Sequence, residues 1–141
     1  MSQPDPIVFE REYAASPERV FAAWTDVETL GRWFGCAGDM RWKIHEWDVR
    51  SGGKIRVSLD FEEGPYEVRG EFVIVESPRH LRYRWQEDET VDVRIEPSGS
   101  GSRLRLEHAF HGSDENRGPL TAGWTNSLAQ LGELWTLATS E

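Results

Sequence analysis

Four histidines (His45, His80, His108 and His111), a single cysteine (Cys36) and an arginine inside an apolar alternation (Arg11) have the most chemical reach in this sequence of 141 residues. Metal ligation is the first chemistry to test, and the spacings speak against it. His108 and His111 are an odd number of residues apart, so on a continuous strand they point to opposite faces. Cys36, His45 and His80 stand at no ligand-like interval, and neither CxxC nor HExxH occurs. Nucleophilic catalysis has no better footing, because there is no GxSxG and the sequence identifies no partner for Cys36. No catalytic set, metal site or cofactor is therefore expected. His108 shares strand parity with Leu104, Leu106 and Phe110, which turns it inward. There it is either a core histidine satisfied by a neighbour, or a group that bonds a ligand oxygen or acts as a general base. Arg11 shares a face with Phe9 and Tyr13. A guanidinium there needs a carboxylate, either from the chain as an ion pair or from an acidic ligand.

The elements that carry these residues follow from periodicity. Residues 7–14 alternate as a strand with Ile7, Phe9, Arg11 and Tyr13 on one face. Ser16-Pro17-Glu18 supplies an N-cap, a first-position proline and a first-turn acid for a helix bearing Val20, Phe21 and Trp24. Thr25 with Glu28 reads as a capping box for a second helix, which carries Leu30 and Trp33 and stops at Gly35. From about residue 43 the period becomes two. Lys43–Val49 forms one strand, and Asp48, Arg50, Gly52 and Gly53 form a purely structural turn after it. Ile55, Val57, Leu59 and Phe61 follow, then Tyr66, Val68, Phe72 and Ile74 on one face, with Val73 and Val75 making that strand apolar on both sides. Leu81, Tyr83 and Trp85 form the next strand, then Val91, Val93 and Ile95, then Leu104, Leu106, His108 and Phe110. Short turns between consecutive strands make an antiparallel meander. Its outer face, with Arg82, Arg84, Arg103 and Arg105 beside acids, reads as a solvated, ion-paired surface worth roughly 0–1 kcal/mol per pair. In the last hairpin, setting Glu96 against Arg105 and Arg94 against Glu107 pairs opposite charges. That register places His108 opposite Val93 and Phe110 opposite Val91.

Pro119 suits the first position of a final helix, on which Leu120, Trp124, Leu128, Leu131, Trp135 and Ala138 make one apolar stripe over residues 119–138. Such a helix spans about 30 Å and is the only long element available to cover the sheet. The class is α+β: a six- to seven-stranded antiparallel sheet wrapped around a long C-terminal helix, with two short helices after the first strand. A twisted sheet meets one helix along a line, and the diverging surfaces are filled by large side chains or left as a cavity. Phe61, Phe72, Tyr83, Trp85, His108 and Phe110 on the sheet, with Trp124, Leu128 and Leu131 on the helix, converge there. They form either a solid core or the walls of a pocket for a small, mostly apolar ligand.

Composition bounds the function. The length suits one domain spanning 1–141, and 25 acidic against 16 basic residues give a net charge of −9, which disfavours nucleic acid and anionic membranes as partners. No apolar run reaches membrane-spanning length, no signal peptide is read and a lone cysteine forms no internal disulfide. A cytoplasmic protein is expected. Seven tryptophans exceed what a small core needs, and association of two copies through Trp42, Trp47 or Trp135 is left open.

Arg11-x-Tyr13-x-Ala15, Val20-Phe21-x-Ala23-Trp24-Thr25-Asp26, Leu30-x-x-Trp33, Asp48-x-Arg50-x-Gly52-Gly53 and Gly123-Trp124-x-x-x-Leu128-x-x-Leu131 occur in an order that resembles the proteins related to the activator of heat-shock protein 90 ATPase. The resemblance runs from about residue 7 to 138. It implies the helix-grip fold of the wider superfamily of lipid-transfer START domains and the birch-pollen allergen, with a deep hydrophobic cavity between sheet and C-terminal helix. It brings no common catalytic motif. Phe34-Gly35-Cys36-Ala37 stands where the family often has Trp-Gly-Pro, so a different cavity mouth is expected. The leading expectation is binding of a small hydrophobic or amphipathic molecule without catalysis. The alternatives are a chaperone-associated interaction module, as the stress-response side of the resemblance implies, and a cyclase-, dehydratase- or hydrolase-like enzyme using the same cavity.

Overall fold

The computed structural model describes residues 6–34, 43–61, 64–86, 89–110 and 117–139, excepting the side chains of 59–61, 64–65, 117, 119–120 and 136–139. Cys36, Trp42 and His111 lie outside the described residues. The elements run β1 (Ile7–Tyr13), α1 (Pro17–Thr25), α2 (Val27–Trp33), β2 (Lys43–Trp47), β3 (Lys54–Phe61), β4 (Gly64–Glu76), β5 (His80–Trp85), β6 (Glu89–Ser98), β7 (Gly101–Ala109) and α3 (Arg117–Thr139). All seven strands form one antiparallel sheet in the order β1-β7-β6-β5-β4-β3-β2. The two short helices carry the chain from one edge strand to the other. This is the expected α+β architecture.

Local chemistry sets the elements. Ser16 caps α1, its hydroxyl accepting from the Arg19 N–H at 3.3 Å, and Pro17 opens the helix. The cap of α2 is Asp26, whose carboxylate accepts from the Thr29 N–H at 3.2 Å and the Thr29 hydroxyl at 2.6 Å, so the Thr25–Glu28 capping box is not formed. Thr25 instead donates its hydroxyl to the Ala22 carbonyl within α1. A helix starting two residues after α1 ends leaves one residue to serve both, and Asp26 is the last residue of one and the first of the other. Asp48 through Gly53 is the expected turn: Gly52 has φ +85°, and a side chain on Gly53 would meet the Asp48 carbonyl oxygen at 1.8 Å.

Three expectations of strand geometry change. Ladder pairing in β4 shifts between Phe72 and Ile74, so Val73 is the extra, exposed residue of a bulge. Beyond it Ile74 faces outward with Arg82, and Val75 joins the inner face opposite Leu81. Tyr66 is exposed near the start of the strand. In β2 a similar shift lets Ile44 and Trp47, three residues apart, both face inward opposite Val57 and Ile55. The last hairpin sets Arg94 opposite Arg105, Asp92 opposite Glu107 and Glu96 opposite Arg103, two residues away from the charge-paired register. Turn geometry decides this. Ser98 pairs with Gly101 across the tight loop Gly99-Ser100, in which Gly99 takes φ +58°. Gly101 also lies so close to the Tyr13 carbonyl oxygen that a Cβ would stand 2.0 Å from it. The arginines find acids sideways: Arg105 reaches Glu10 on β1 at 3.2 Å, and Arg94 reaches Asp92 on its own strand at 3.2 Å. A slip of two preserves parity, so His108 still faces inward, opposite Val91 rather than Val93, and Phe110 follows the end of β7.

Helix α3 packs against β1 and α2 on the inner side of the sheet. Near one end Trp124 meets His108; near the other Trp135 stacks on Tyr13 with centroids 5.1 Å apart, next to the Ser102 end of β7. The stretch of helix between the two tryptophans is about 16 Å and the strand between His108 and Ser102 about 20 Å, so α3 follows the β1–β7 pair along its length. The Tyr13 hydroxyl donates to the Leu128 carbonyl at 3.0 Å. Leu128, Leu131 and Trp135 are buried in the single core and Trp124 is half-buried, as the apolar stripe requires; the side chains of Leu120 and Ala138 lie outside the described residues.

Candidate functional site

The inner face is not uniformly aliphatic. Toward Ser102 it is Leu104, Leu106, Val93 and Ile95, all buried. Toward β2–β5 and the N-terminal half of α3 it becomes a continuous array of rings. Tyr83 sits in its middle, with centroids 5.8 Å from Phe72, 5.8 Å from Trp47, 6.1 Å from Trp85 and 6.5 Å from Trp24. Phe34, just past α2, bridges Trp47 at 5.5 Å, Trp85 at 5.7 Å and Trp124 at 6.1 Å, mostly edge to face.

Two indoles fix the array to the helices. The Trp33 N–H donates to the Ala23 carbonyl at 3.0 Å, and the Trp47 N–H donates to the Trp24 carbonyl at 2.8 Å. Two other polar atoms in the array, the Trp24 indole nitrogen and the Tyr83 hydroxyl, are buried without a partner among the described residues. Buried polar groups are almost always paired, so two orphans within one aromatic cluster are unusual. Burial alone pushes the Tyr83 phenol well above its ordinary value, so it stays an O–H donor.

Burial falls off in one direction. Trp85, Trp124 and Glu89 are half-buried, whereas Tyr83, Phe72 and Trp24 are fully enclosed. At this rim three side chains from three elements form a chain. The Trp124 indole N–H donates to His108 Nδ1 at 2.8 Å, and His108 Nε2 lies 2.6 Å from Glu89 Oε1. An indole nitrogen only donates, so Nδ1 must accept; the ring hydrogen is then on Nε2 and donates to the Glu89 carboxylate. Both nitrogens of His108 are thereby engaged, and any effect of this histidine on a bound molecule passes through Glu89. Glu89 escaped the sequence reading because it stands ahead of the first apolar residue of its alternation, although its parity with Val91, Val93 and Ile95 was the available signal.

Of the other residues expected to line a pocket, Phe72, Tyr83, Trp85 and Trp124 come together in the ring array, and Phe110 lies against His108 at 6.5 Å. Leu128 and Leu131 are buried farther along α3 toward Tyr13. Phe61 ends β3, and its side chain lies outside the described residues. Phe34, Trp24 and Trp47 belong to the array and were not anticipated there. Among the described residues Arg11 departs from the ion-pair reading given above. Its guanidinium donates to the Glu10 carbonyl at 2.9 Å and lies 5.1 Å from the Phe9 ring, with no ion pair among the described residues. Edge strand β1 leaves it half-exposed, so water and a ring face replace the carboxylate. Among the described residues no three His, Cys, Asp or Glu stand together as a metal cluster. No helix is long and apolar enough to cross a membrane.

Residues 14–136 match the family described as Activator of Hsp90 ATPase homolog 1-like protein. No curated protein matches the chain. Among solved structures it is similar to protein CV1439 from Chromobacterium violaceum (27% identity, 93% of this chain and 97% of that one, TM-score 0.84). It is also similar to the AHSA1 protein from Silicibacter pomeroyi (28%, 94% and 99%, 0.81). An AHSA1-like protein from Aeromonas hydrophila shares the fold at 21% identity (96% and 95%, 0.79).

Proposed function

The chain belongs to the Activator of Hsp90 ATPase homolog 1-like family, and from that premise we propose that its inner aromatic array is a binding site for a small, mostly apolar molecule carrying an oxygen acceptor. The observation that carries this reading is the Tyr83 hydroxyl, fully buried and without a partner among the described residues, inside a cluster of rings that reaches solvent at Trp85, Trp124 and Glu89. An unpaired buried hydroxyl costs about 1–3 kcal/mol. A ligand acceptor removes that penalty while its apolar body contributes about 25 cal/mol per Å² of surface it buries. Trp24, whose indole N–H is the second orphan, offers another donor within the same array.

The interaction-module reading draws no support from the surface. The exposed large apolar residues among those described are Val8, Val27, Tyr66 and Val73, on three different elements. Native mass spectrometry of freshly purified protein should show a co-purifying small molecule, and Tyr83→Phe and Trp124→Ala should each release it. Retention of that molecule by both variants would place the site elsewhere.

A further inference from the structure

Glu89 is the unexplained charge of this fold. Every other acid on the sheet with a described partner lies on the outer face or at a strand edge beside an arginine, a lysine or a histidine that an arginine accompanies. Glu89 faces inward at the rim of the ring array, with its side chain 25% exposed. Its sole described partner is His108, and the bond that Trp124 makes to His108 Nδ1 requires that ring to be neutral. The carboxylate is therefore oriented by a hydrogen bond and not neutralised by it. One oxygen is held by His108, and nothing described occupies the other. The only other charged side chain on the inner face among the described residues is Arg11, which sits on edge strand β1 opposite Leu104, away from the His108 end.

A fixed, partly desolvated carboxylate opposite Trp85 on the neighbouring strand, and one imidazole ring away from Trp124, is complementary to a cation that also carries apolar surface. We propose that Glu89 receives a protonated amine, so that the ligand class of this site is an amphipathic amine whose apolar body enters the rings and whose ammonium group stays at the rim. The inference rests on the binding-site reading above and adds the sign of the head group. The net charge of −9 favours approach of such a molecule from solution. The Trp124–His108–Glu89 chain gives the head-group site its position: α3 and β7 hold the carboxylate that β6 supplies, so Glu89 is a binding residue and His108 a positioning residue.

The test uses three probes with one methoxyphenyl body, whose ether oxygen supplies the acceptor for Tyr83: 4-methoxyphenethylamine (cationic at neutral pH), 4-methoxyphenethyl alcohol (neutral) and 4-methoxyphenylacetate (anionic). Isothermal titration of the full chain at low salt should rank them amine, alcohol, acid, with the amine bound about tenfold more tightly than the alcohol. Glu89→Gln keeps an acceptor for His108 and removes the charge, so the amine-to-alcohol ratio should fall to within about twofold. Glu89→Asp should retain part of the preference; circular dichroism identifies any variant that has lost its fold. Equal binding of amine and alcohol to the native protein, or an unchanged ratio in Glu89→Gln, overturns the amine assignment and leaves the binding site standing. Failure of all three probes to bind at millimolar concentration overturns the binding-site reading itself.

Discussion

Asp92 and Glu89 lie on the same strand, three residues apart, and therefore on opposite faces of the sheet. Asp92 accepts from His80 Nε2 at 2.6 Å, Arg82 Nε at 3.0 Å and Arg94 Nε at 3.2 Å. Its burial works to raise its pKa, but the His80 bond and the charges of His80, Arg82 and Arg94 outweigh that and hold it below the ordinary aspartate range. Glu89 has one described bond, from a neutral ring. The outer face is a closed network of lateral ion pairs in which even the like-charged pair Arg94–Arg105 is relieved by acids to either side. The inner face at the ring array has two orphaned polar atoms and one uncompensated charge. Clefts of about 490 and 690 Å³ do exist on the outer face, but their walls are largely those already paired ions. The proposed site is thus distinguished by unsatisfied polar groups and not by room alone.

Four substitutions sharpen or break that contrast. Phe72→Ala should be the most damaging, because Phe72 is fully enclosed and packs on both Trp47 and Tyr83. A loss of about 3–5 kcal/mol in denaturant unfolding is expected; a loss near 1 kcal/mol would mean that the array is loosely packed and collapses easily. Asp92→Asn should cost about 2–3 kcal/mol at neutral pH by removing the acceptor of three charged or ring donors. Because the folded pKa of Asp92 is lowered, its stabilisation is complete above about pH 4 and fades as pH falls through that lower value. The stability gap between native protein and variant should therefore be constant from neutral pH down to about 4 and close only in stronger acid; a gap that closed between pH 7 and 5 would mean another group is responsible. Tyr83→Phe should have the opposite sign, raising the stability of ligand-free protein by about 1 kcal/mol, since it removes a buried hydroxyl that has no partner. A decrease in melting temperature would show that the hydroxyl is satisfied after all. Arg103→Ala should change stability by less than about 0.5 kcal/mol, because its contacts with Glu12 and Glu96 are long and exposed.

Much of this was legible in the sequence where one physical rule acts alone. Alternation placed Val91, Val93, Leu104 and Leu106 correctly, and the Leu128–Leu131–Trp135 stripe predicted how α3 is buried. Reading failed where two rules compete. In the β6–β7 hairpin, charge pairing favoured one register and a tight glycine turn another, and the turn prevailed because Arg94 and Arg105 had acids elsewhere that a hairpin viewed alone does not include. The bulges in β2 and β4 shifted parity by one residue, which hid the inward position of Trp47 and misassigned Ile74. Of the residues proposed to form the site, Phe72, Tyr83, Trp85, His108 and Trp124 were legible as an inward-facing set. Glu89 and Phe34 remained hidden because each sits at the end of an element, where periodicity is weakest. The unpaired state of the Tyr83 hydroxyl is a property of three-dimensional surroundings and has no sequence signature.

The adjacency of β1 and β7 also sets the order of assembly. Ile7 pairs with His108, about a hundred residues farther along the chain, whereas every other strand pairs with a sequence neighbour. During synthesis β1, α1 and α2 emerge first with Trp24, Trp33 and Phe34 unburied, and β1 cannot join the sheet until β7 has been made. Loop closure on that scale puts folding toward the slow, millisecond-to-second end for a domain of this size. Until closure the nascent chain exposes aromatic surface, so its need for protection from aggregation is greatest just before its last helix appears.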